Sequence, residues 1–169
     1  ATTRKARATE QHGRDYHFIT VEEFEKMRER DEFAEWAKVH GDLYGTPRSF
    51  LDHRVSEGLS VLLDIDVQGG VQVMKRYPAA VSIFVTPPSF AVLEQRLRGR
   101  KSESEEALRR RMQNALGEME YVSQYTYIVA NDTVEAAVSR MGAIVGAERL
   151  KRERILAGSS WREFVGLSA

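Results

Sequence analysis

Two arginines near the start of the chain, Arg4 and Arg7, are spaced so that together they could bind an anion. A guanidinium group presents a planar fork of N–H donors that matches a phosphate or a carboxylate. Tyr16 and Tyr44 could add neutral hydroxyl donors to the same anion. The alternative is a solvated basic stretch with half-buried tyrosines, which is the more common outcome for two arginines taken alone. The spacing by itself leaves both interpretations open.

Two carboxylates, Asp64 and Asp66, close an apolar segment that begins at Val61. If this segment is a strand, residues two apart face the same side, so both carboxylates lie together at its carboxyl end. Ligands bind at that edge of open α/β sheets, and nucleotide triphosphatases position magnesium with an acid in such a place. Because two acids without partners are costly to bury, we favour a functional site over a structural role.

Arginines are also concentrated between residues 96 and 111. Arg96 and Arg100 are four apart and share one face of a helix, and Arg111 borders the apolar face of the next helix. The connection 99–104 is polar and short of apolar anchors, so it is able to move. Phosphoryl-transfer enzymes use mobile arginine-bearing segments to neutralise charge in the transition state. For three other arginines we prefer a solvated helix face: Arg98, Arg109 and Arg110.

Alternating strand and helix patterns must position these residues. Apolar runs typical of strands buried in a parallel sheet cover residues 61–65, 81–85 and 127–130. Helix patterns follow each run, one of them over residues 71–76, and the later ones begin at capping residues: Ser89, Ser102 with Glu105, and Asp132 with Glu135. This alternation predicts a parallel α/β sheet with right-handed crossovers.

The first third of the chain has a different pattern. Residues 14–20 alternate in the manner of a short strand, and a Thr20–Glu23 capping box opens a helix after it. Residues 33–45 mix aromatic and polar side chains, which indicates short strands and turns. A second helix is predicted from Pro47 to Gly58, because proline is tolerated at a helix start and glycine is common just past a helix end.

The composition excludes several classes of function. The 169 residues make about one domain, with 42% apolar and 30% charged residues. No apolar run approaches the ~20 residues of a membrane span, and a formal net charge of zero argues against bulk attraction to nucleic acid. Without cysteine there is no thiol chemistry, and the four histidines lack metal-ligand spacing. No signal peptide is visible, so we expect a cytoplasmic protein.

Eight sequence elements resemble the guanylate kinase family, in the family's order and spacing over about residues 2–150. They are Thr2-Thr3-Arg4-x-x-Arg7-x-x-Glu10, Gly13-x-Asp15-Tyr16-x-Phe18, Phe33-x-Glu35, Tyr44-Gly45-Thr46, Leu63-Asp64-Ile65-Asp66-x-Gln68-Gly69, Pro87-Pro88-Ser89, Arg96-Leu97-x-x-Arg100 and Asn131-Asp132. One tripeptide would carry little weight, whereas eight collinear elements are specific. The resemblance implies transfer of the terminal phosphate of ATP, with Mg²⁺, to GMP, giving ADP and GDP.

The resemblance also implies a role for each candidate residue. The GMP phosphate would be held by the first group of side chains: Arg4, Arg7, Tyr16 and Tyr44. The guanine base would be read by Glu35 and Thr46, with Asp66 assisting. Asp64 would lie near the metal and the phosphates, and no residue is expected to form a metal site of its own. The transferred phosphoryl group and the ATP side would be clamped by three arginines: Arg96, Arg100 and Arg111. Asn131 would lie near the ATP base.

The family fold supplies expectations for the domains. It implies a P-loop-kinase-like parallel sheet flanked by helices, with an inserted small mixed β subdomain for GMP and a short arginine-rich lid. On this chain we expect the GMP-binding subdomain at 1–56, the α/β core at 57–95 and 112–157, the lid at 96–111 and a C-terminal tail at 158–169.

One departure from the family pattern is large. The chain contains no G-x-x-x-x-G-K-[ST] phosphate loop, whereas family members carry a strand, this loop and a helix ahead of the Thr-Thr-Arg element. We therefore expect these residues alone to bind GMP at best, and an intact protein with the loop to be the enzyme. The alternative is a non-catalytic guanylate-kinase-like domain that binds phosphorylated peptides. The presence of Asp64 and of the clamp arginines favours the enzyme, because peptide binding does not need them.

Overall fold

The structure, a computed structural model, describes residues 1–39, 41–99 and 105–157. Its contacts divide the chain into two units, Ala1–Ala80 and Val81–Ala169. The first unit contains α1 (Val21–Glu29), β1 (Phe33–Val39), β2 (Asp42–Pro47), α2 (Arg48–Ser56) and α3 (Val67–Arg76). The second contains β3 (Ile83–Thr86), α4 (Phe90–Arg98), α5 (Glu105–Met119), a 3₁₀ turn (Val122–Gln124), β4 (Tyr127–Ala130), α6 (Val134–Arg149) and α7 (Arg152–Ala157). The fold is mixed α/β, as the sequence predicts.

An antiparallel hairpin of β1 and β2 is the centre of the first unit. The register places Glu35 opposite Thr46 and Trp36 opposite Gly45. Most of β1 is buried, and Phe33 stacks at 4.4 Å on Phe24, a fully buried side chain of α1. The predicted short strands at 33–45 are therefore confirmed, and the core of this unit lies between the hairpin and α1.

The local signals for the first two helices are confirmed. The Thr20 hydroxyl accepts a hydrogen bond from the Glu23 N–H, and the Glu23 carboxylate accepts one from the Thr20 N–H, which is the predicted capping box. Helix α2 begins directly after Pro47, and Gly58 follows its end with a φ of +76°. A positive φ of this kind is strained for other residues, which explains the glycine.

The strand predicted at 14–20 is wrong. Among the residues that the structure describes, this segment forms isolated bridges, His12 with Tyr16 and Thr2 with Phe18. The reason is a tight turn at Gly13, whose φ is +79° and whose N–H donates to the Tyr16 carbonyl at 2.8 Å. The start of the chain then lies between Phe18 and Tyr44, pairing with both.

The buried strand predicted at 61–65 is also wrong. Residues 59–66 are irregular, no strand within the described ranges pairs with them, and Leu62 is 88% exposed. An apolar run becomes a sheet strand when a neighbouring strand satisfies its N–H and C=O groups, and the run itself cannot supply that partner. The helix predicted from residue 71 starts earlier, at Val67, and ends before Pro78 as expected.

The second unit contains the parallel pairing that the sequence predicts. Strands β3 and β4 are parallel, with Phe84 opposite Ile128 and Val85 opposite Val129, and α4 and α5 lie between them in sequence. The side chains of Phe84 and Val129 are buried in this unit. Parallel strands cannot be joined by a tight turn, so a helical connection between them is the arrangement that the sequence pattern predicts.

The helix caps of the second unit are confirmed in one case and corrected in another. Ser89 caps α4 as predicted, accepting from the Val92 N–H at 3.2 Å. Helix α6 is capped by Thr133 rather than by Asp132, because the Asp132 carboxylate is taken by Arg140 at 2.7 and 2.9 Å. The predicted cap at Ser102 and the tail at 158–169 lie outside the described residues. No helix in the described part of the chain has the length and apolarity needed to cross a membrane.

Candidate functional site

Arg4 lies at the centre of the anion-binding cluster predicted from the sequence. Its Nη1 and Nη2 atoms each donate to one carboxylate oxygen of Glu10 at 2.9 Å, and its Nε donates to the Tyr44 hydroxyl at 3.2 Å. The guanidinium also stands 5.5 Å from the ring centre of Tyr16, which is 6.2 Å from the ring of Tyr44. The structure thus brings together Arg4, Tyr16 and Tyr44, residues that are up to 40 positions apart.

Glu10 is the internal counterion of this cluster. In addition to Arg4, its carboxylate accepts the backbone N–H of Arg7 at 2.8 Å, while the Arg7 side chain is exposed. The Arg4 guanidinium and this N–H lower the pKa of Glu10 to about 2, and the same pairing raises the pKa of Arg4. A second anion at Arg4 must share the guanidinium with Glu10 or displace it.

A buried carboxylate forms the second part of the site. Glu35 in β1 is 4% exposed, and its Oε1 accepts the hydroxyl of Thr46 in β2 at 2.6 Å. Burial raises the pKa of Glu35, the Thr46 hydrogen bond opposes that shift, and the negative charge of Asp66 adds to it. The hairpin register, which places Glu35 opposite Thr46, is what aligns the pair.

The two aspartates predicted to share a strand end are placed differently. Asp66 is the N-cap of α3, where its Oδ1 accepts the Gly69 N–H at 2.8 Å, and it is close enough to raise the pKa of Glu35. The Asp64 side chain is exposed on the irregular segment before it. The expected position of both acids at the end of a buried strand is therefore wrong, because no strand forms there, and their roles toward a ligand stay predictions.

Arg96 and Asn131 are candidates that the second unit brings close together. Arg96 Nη2 donates to the carbonyl of Asp132 at 2.8 Å, next in sequence to Asn131, whose N–H donates to the Thr86 carbonyl at 2.7 Å at the end of β3. Arg111 is half-buried on α5, and Arg100 lies outside the described residues.

The three arginines interpreted as solvated are exposed in the structure. Arg109 and Arg110 lie on the exposed side of α5. Arg98 is exposed as well, but it pairs with Glu94 of its own helix at 3.0 Å and with Glu105 of α5. Arg98 therefore ties the end of α4 to the start of α5.

Sequence reasoning missed the contacts that α3 makes behind Glu35. Gly69 in its first turn is buried against the Glu35 carboxylate, and the Gln72 side chain pairs with the backbone of Trp36. The sequence offers only the pair Gly69-Gly70, which lies just before the helix predicted at 71–76 and is typical of a turn there. No three potential metal ligands converge anywhere in the described ranges.

Replacing Glu35 by glutamine is expected to stabilise the fold at neutral and alkaline pH. The folded-state pKa of Glu35 lies above its ordinary value of 4.5, so the folded protein binds the proton more tightly than the unfolded chain does. The stability of the natural chain therefore falls as the pH rises from 4.5 through the raised pKa. Glutamine keeps an acceptor for Thr46 and carries no charge.

Thermal unfolding of both proteins followed by circular dichroism from pH 4 to pH 8 measures this effect. We expect the Glu35→Gln melting temperature to exceed that of the natural chain by a few degrees at pH 8, and the gap to close at pH 4. A gap that is constant across this range would show that the glutamine acts through packing and that the charge of Glu35 is well tolerated.

Comparisons with known proteins assign this fold to a class of nucleotide-processing proteins, the nucleoside monophosphate kinases. A family model described as guanylate kinase matches residues 1–148. The guanylate kinase of Thermotoga maritima is 48% identical over 153 residues, covering 90% of this chain and 74% of that protein. That of Myxococcus xanthus is 46% identical over 155 residues, covering 91% of this chain and 74% of that protein.

A solved structure agrees with these sequence matches. The crystal structure of guanylate kinase from Anaplasma phagocytophilum superposes with a TM-score of 0.77 at 33% identity, covering 99% of this chain and 83% of that one. The chain belongs to the guanylate kinase family.

Proposed function

We propose that this chain carries the GMP-binding site and the ATP-side arginines of a guanylate kinase, which transfers the terminal phosphate of ATP to GMP. The observation that carries the proposal is the shared face of β2. Tyr44 contacts Arg4 and Thr46 contacts Glu35, and residues two apart on a strand face the same side, about 7 Å from each other. The arginine that would bind the phosphate and the carboxylate that would read the base are therefore held by neighbouring positions of one strand.

The phosphate of GMP would bind at the Arg4 cluster. Arg4 offers a positive charge that its contacts with Glu10 and Tyr44 already orient, although Glu10 occupies both of its Nη atoms. Tyr16 and Tyr44 offer hydroxyl donors, and the exposed Arg7 is able to turn toward the ligand. Glu10 keeps the guanidinium in place before binding. We propose that the phosphate enters as a second anion beside Glu10.

The guanine base would bind at Glu35. This carboxylate accepts hydrogen bonds only, the Thr46 hydroxyl both accepts and donates, and Asp66 lies near enough to assist. Guanine presents two adjacent donors and one acceptor on its Watson–Crick edge, which is the complementary pattern. Burial of Glu35 strengthens these hydrogen bonds, since little water competes for them.

The reaction itself would follow the logic of phosphoryl transfer. An oxygen of the GMP phosphate attacks the terminal phosphorus of ATP, the new P–O bond forms, and the bond to the bridging oxygen breaks to release ADP. Arg96, Arg100 and Arg111 would neutralise the charge on the transferred group, and Asn131 would lie near the ATP base. Asp64, an exposed carboxylate, fits a Mg²⁺ ion that ATP phosphates and water mainly hold, and the ion would neutralise phosphate charge.

The proposed assignment of domains follows these roles. Residues 1–56 form the GMP-binding subdomain, 57–95 and 112–157 the α/β core and 96–111 the lid, with a tail at 158–169. The partners are the small molecules GMP and ATP, with no nucleic acid and no membrane, and the proposed location is cytoplasmic.

Calorimetric titration of the chain with GMP tests the binding half of this proposal. We expect GMP to bind and Arg4→Ala to weaken GMP binding by about 10–100-fold, because the variant loses a charged hydrogen-bond donor to the phosphate. Guanosine, which has no phosphate, should bind the natural chain and the Arg4→Ala variant equally. Arg14→Ala removes an exposed arginine of the same segment and is the matched control, with unchanged affinity.

A phosphoserine peptide is titrated beside GMP to test the alternative class of binding module. Binding of the peptide in preference to GMP would support a non-catalytic guanylate-kinase-like domain. Absence of GMP binding would contradict the proposed function outright.

A further inference from the structure

The first turn of α3 provides the wall against which the Glu35 carboxylate rests. A Cβ atom added at Gly69 would stand 2.6 Å from Glu35 Oε2 and 3.3 Å from its Cδ. Ordinary contacts of a Cβ atom begin at 3.4 Å. A side chain at this position would therefore force the carboxylate oxygen to move by about 0.8 Å.

The backbone of α3 is not free to retreat from such a clash. Farther along the same face of the helix, Gln72 Nε2 donates to the Trp36 carbonyl at 2.7 Å, and its Oε1 accepts the Trp36 N–H at 3.2 Å. At the end of the helix, Arg76 pairs with both carboxylate oxygens of Asp31 at 2.7 and 3.0 Å. These contacts hold α3 on β1 and on the turn that precedes β1, so the end of the Glu35 side chain is the part that moves.

Glycine at position 69 is otherwise unfavourable. It lies in a helix, where alanine is the better helix former, and nothing in its backbone requires a positive φ. Gly117 and Gly142 also lie in helices, but a Cβ there would meet no atom within 4 Å. What sets Gly69 apart is the carboxylate that fills the space of its missing side chain.

We propose that Gly69 is a specificity-determining position, at which the absence of a side chain seats the Glu35 carboxylate for guanine recognition. The proposal rests on the proposed function, since it assigns Gly69 to the same base-reading site. Gly69 acts through Glu35 and is a positioning residue. Catalytic and binding groups must be held within about 0.5 Å of their working geometry, and a 1 Å misplacement lowers an enzyme's rate by up to ~10²-fold, so this displacement is large enough to affect recognition.

Two single variants of the full chain test the proposal by titration with GMP and with AMP. We expect Gly69→Ala to weaken GMP binding at least ~10-fold, to lower the preference for GMP over AMP, and to leave the fold intact. Gly142→Ala, the matched control, also replaces a helical glycine and should leave both affinities unchanged. A Gly69→Ala variant that keeps the natural affinity and preference would overturn the proposal.

A double-mutant cycle isolates the contact itself. Glu35→Asp shortens the side chain by one methylene and withdraws the carboxylate from the Gly69 surface, so adding Gly69→Ala to it should cost little more. If Gly69→Ala alone does not fold and the double variant does, the clash with Glu35 is the cause, as proposed. Failure of both to fold would overturn the proposal.

The ligand-free protein gives a readout that does not depend on GMP. The ¹³C resonance of the Glu35 carboxyl should move in Gly69→Ala and stay in place in Gly142→Ala, and an unmoved resonance would overturn the proposal. A natural chain that does not prefer GMP to AMP would instead contradict the proposed function. A natural chain that prefers GMP, with an unchanged Gly69→Ala variant, would contradict the role of Gly69 alone.

Discussion

GMP should bind this chain about 10⁴-fold more tightly than AMP, a preference typical of sites whose buried polar groups are left unpaired by the wrong ligand. Guanine offers N1–H and the 2-amino group as donors and O6 as an acceptor. Adenine reverses the pattern, with a donor at position 6 and an acceptor at N1. An ionised Glu35, 4% exposed, would then face a lone pair with no water to replace the lost hydrogen bonds.

Thr46 is the hydrogen-bond partner of the Glu35 carboxylate. Its hydroxyl donates to Glu35 Oε1 at 2.6 Å. Guanine would replace this donor with its own N–H groups, which frees the Thr46 hydroxyl to donate to O6. Binding requires the ionised carboxylate, and because burial raises the pKa of Glu35, GMP affinity should increase with pH until that group has ionised.

Titrations with GMP, IMP and AMP at pH 8 measure the preference. IMP lacks the 2-amino group and should fall between the other two. Glu35→Gln should cost roughly 1.5–3 kcal/mol of GMP binding, because an amide cannot accept from both guanine donors and its own N–H₂ faces one of them. Unchanged GMP affinity in this variant would remove Glu35 from the site and leave it a structural carboxylate of β1.

The features that could be predicted from the sequence are those fixed by neighbouring residues. The Thr20–Glu23 box and the Ser89 cap depend on atoms three positions apart, so the residue types suffice. The prediction that Asp132 caps α6 was wrong because Arg140, eight residues along the chain, binds the Asp132 carboxylate. A cap signal decides the helix start only when no stronger partner reaches the side chain.

Features that depend on partners far away in the sequence could not be predicted from local sequence patterns. The apolar run at 61–65 reads as a strand, but strand formation depends on a neighbour that the run cannot specify. In the site, the pairing of Glu35 with Thr46 follows from the hairpin register, whereas the family resemblance implied only that both would read the same base. The contact of Gly69 with Glu35 joins positions 34 residues apart, and a glycine leaves no side-chain pattern that would reveal its partner.

Turnover should require a phosphate loop in addition to these residues. The 169 residues contain no G-x-x-x-x-G-K-[ST] motif, and the backbone N–H groups and lysine of such a loop supply much of the positioning and charge neutralisation in phosphoryl transfer. We expect no measurable GMP kinase activity from them alone. A chimera in which the strand, phosphate loop and helix expected of a guanylate kinase are fused ahead of Ala1 should form ADP and GDP from ATP and GMP.

The arginine clamp is then tested in the active chimera. Arg96→Ala and Arg111→Ala should each lower turnover by roughly 10³-fold, the scale of arginine-finger losses, because these side chains would meet charge that develops in the transition state. GMP affinity, measured by titration, should barely change. Arg110→Ala removes an exposed arginine next to Arg111 on α5 and is the matched control, with normal turnover. Measurable kinase activity from residues 1–169 alone would contradict the need for the phosphate loop. If Arg96→Ala or Arg111→Ala weakened GMP binding and left turnover at saturation unchanged, these arginines would instead belong at the GMP phosphate.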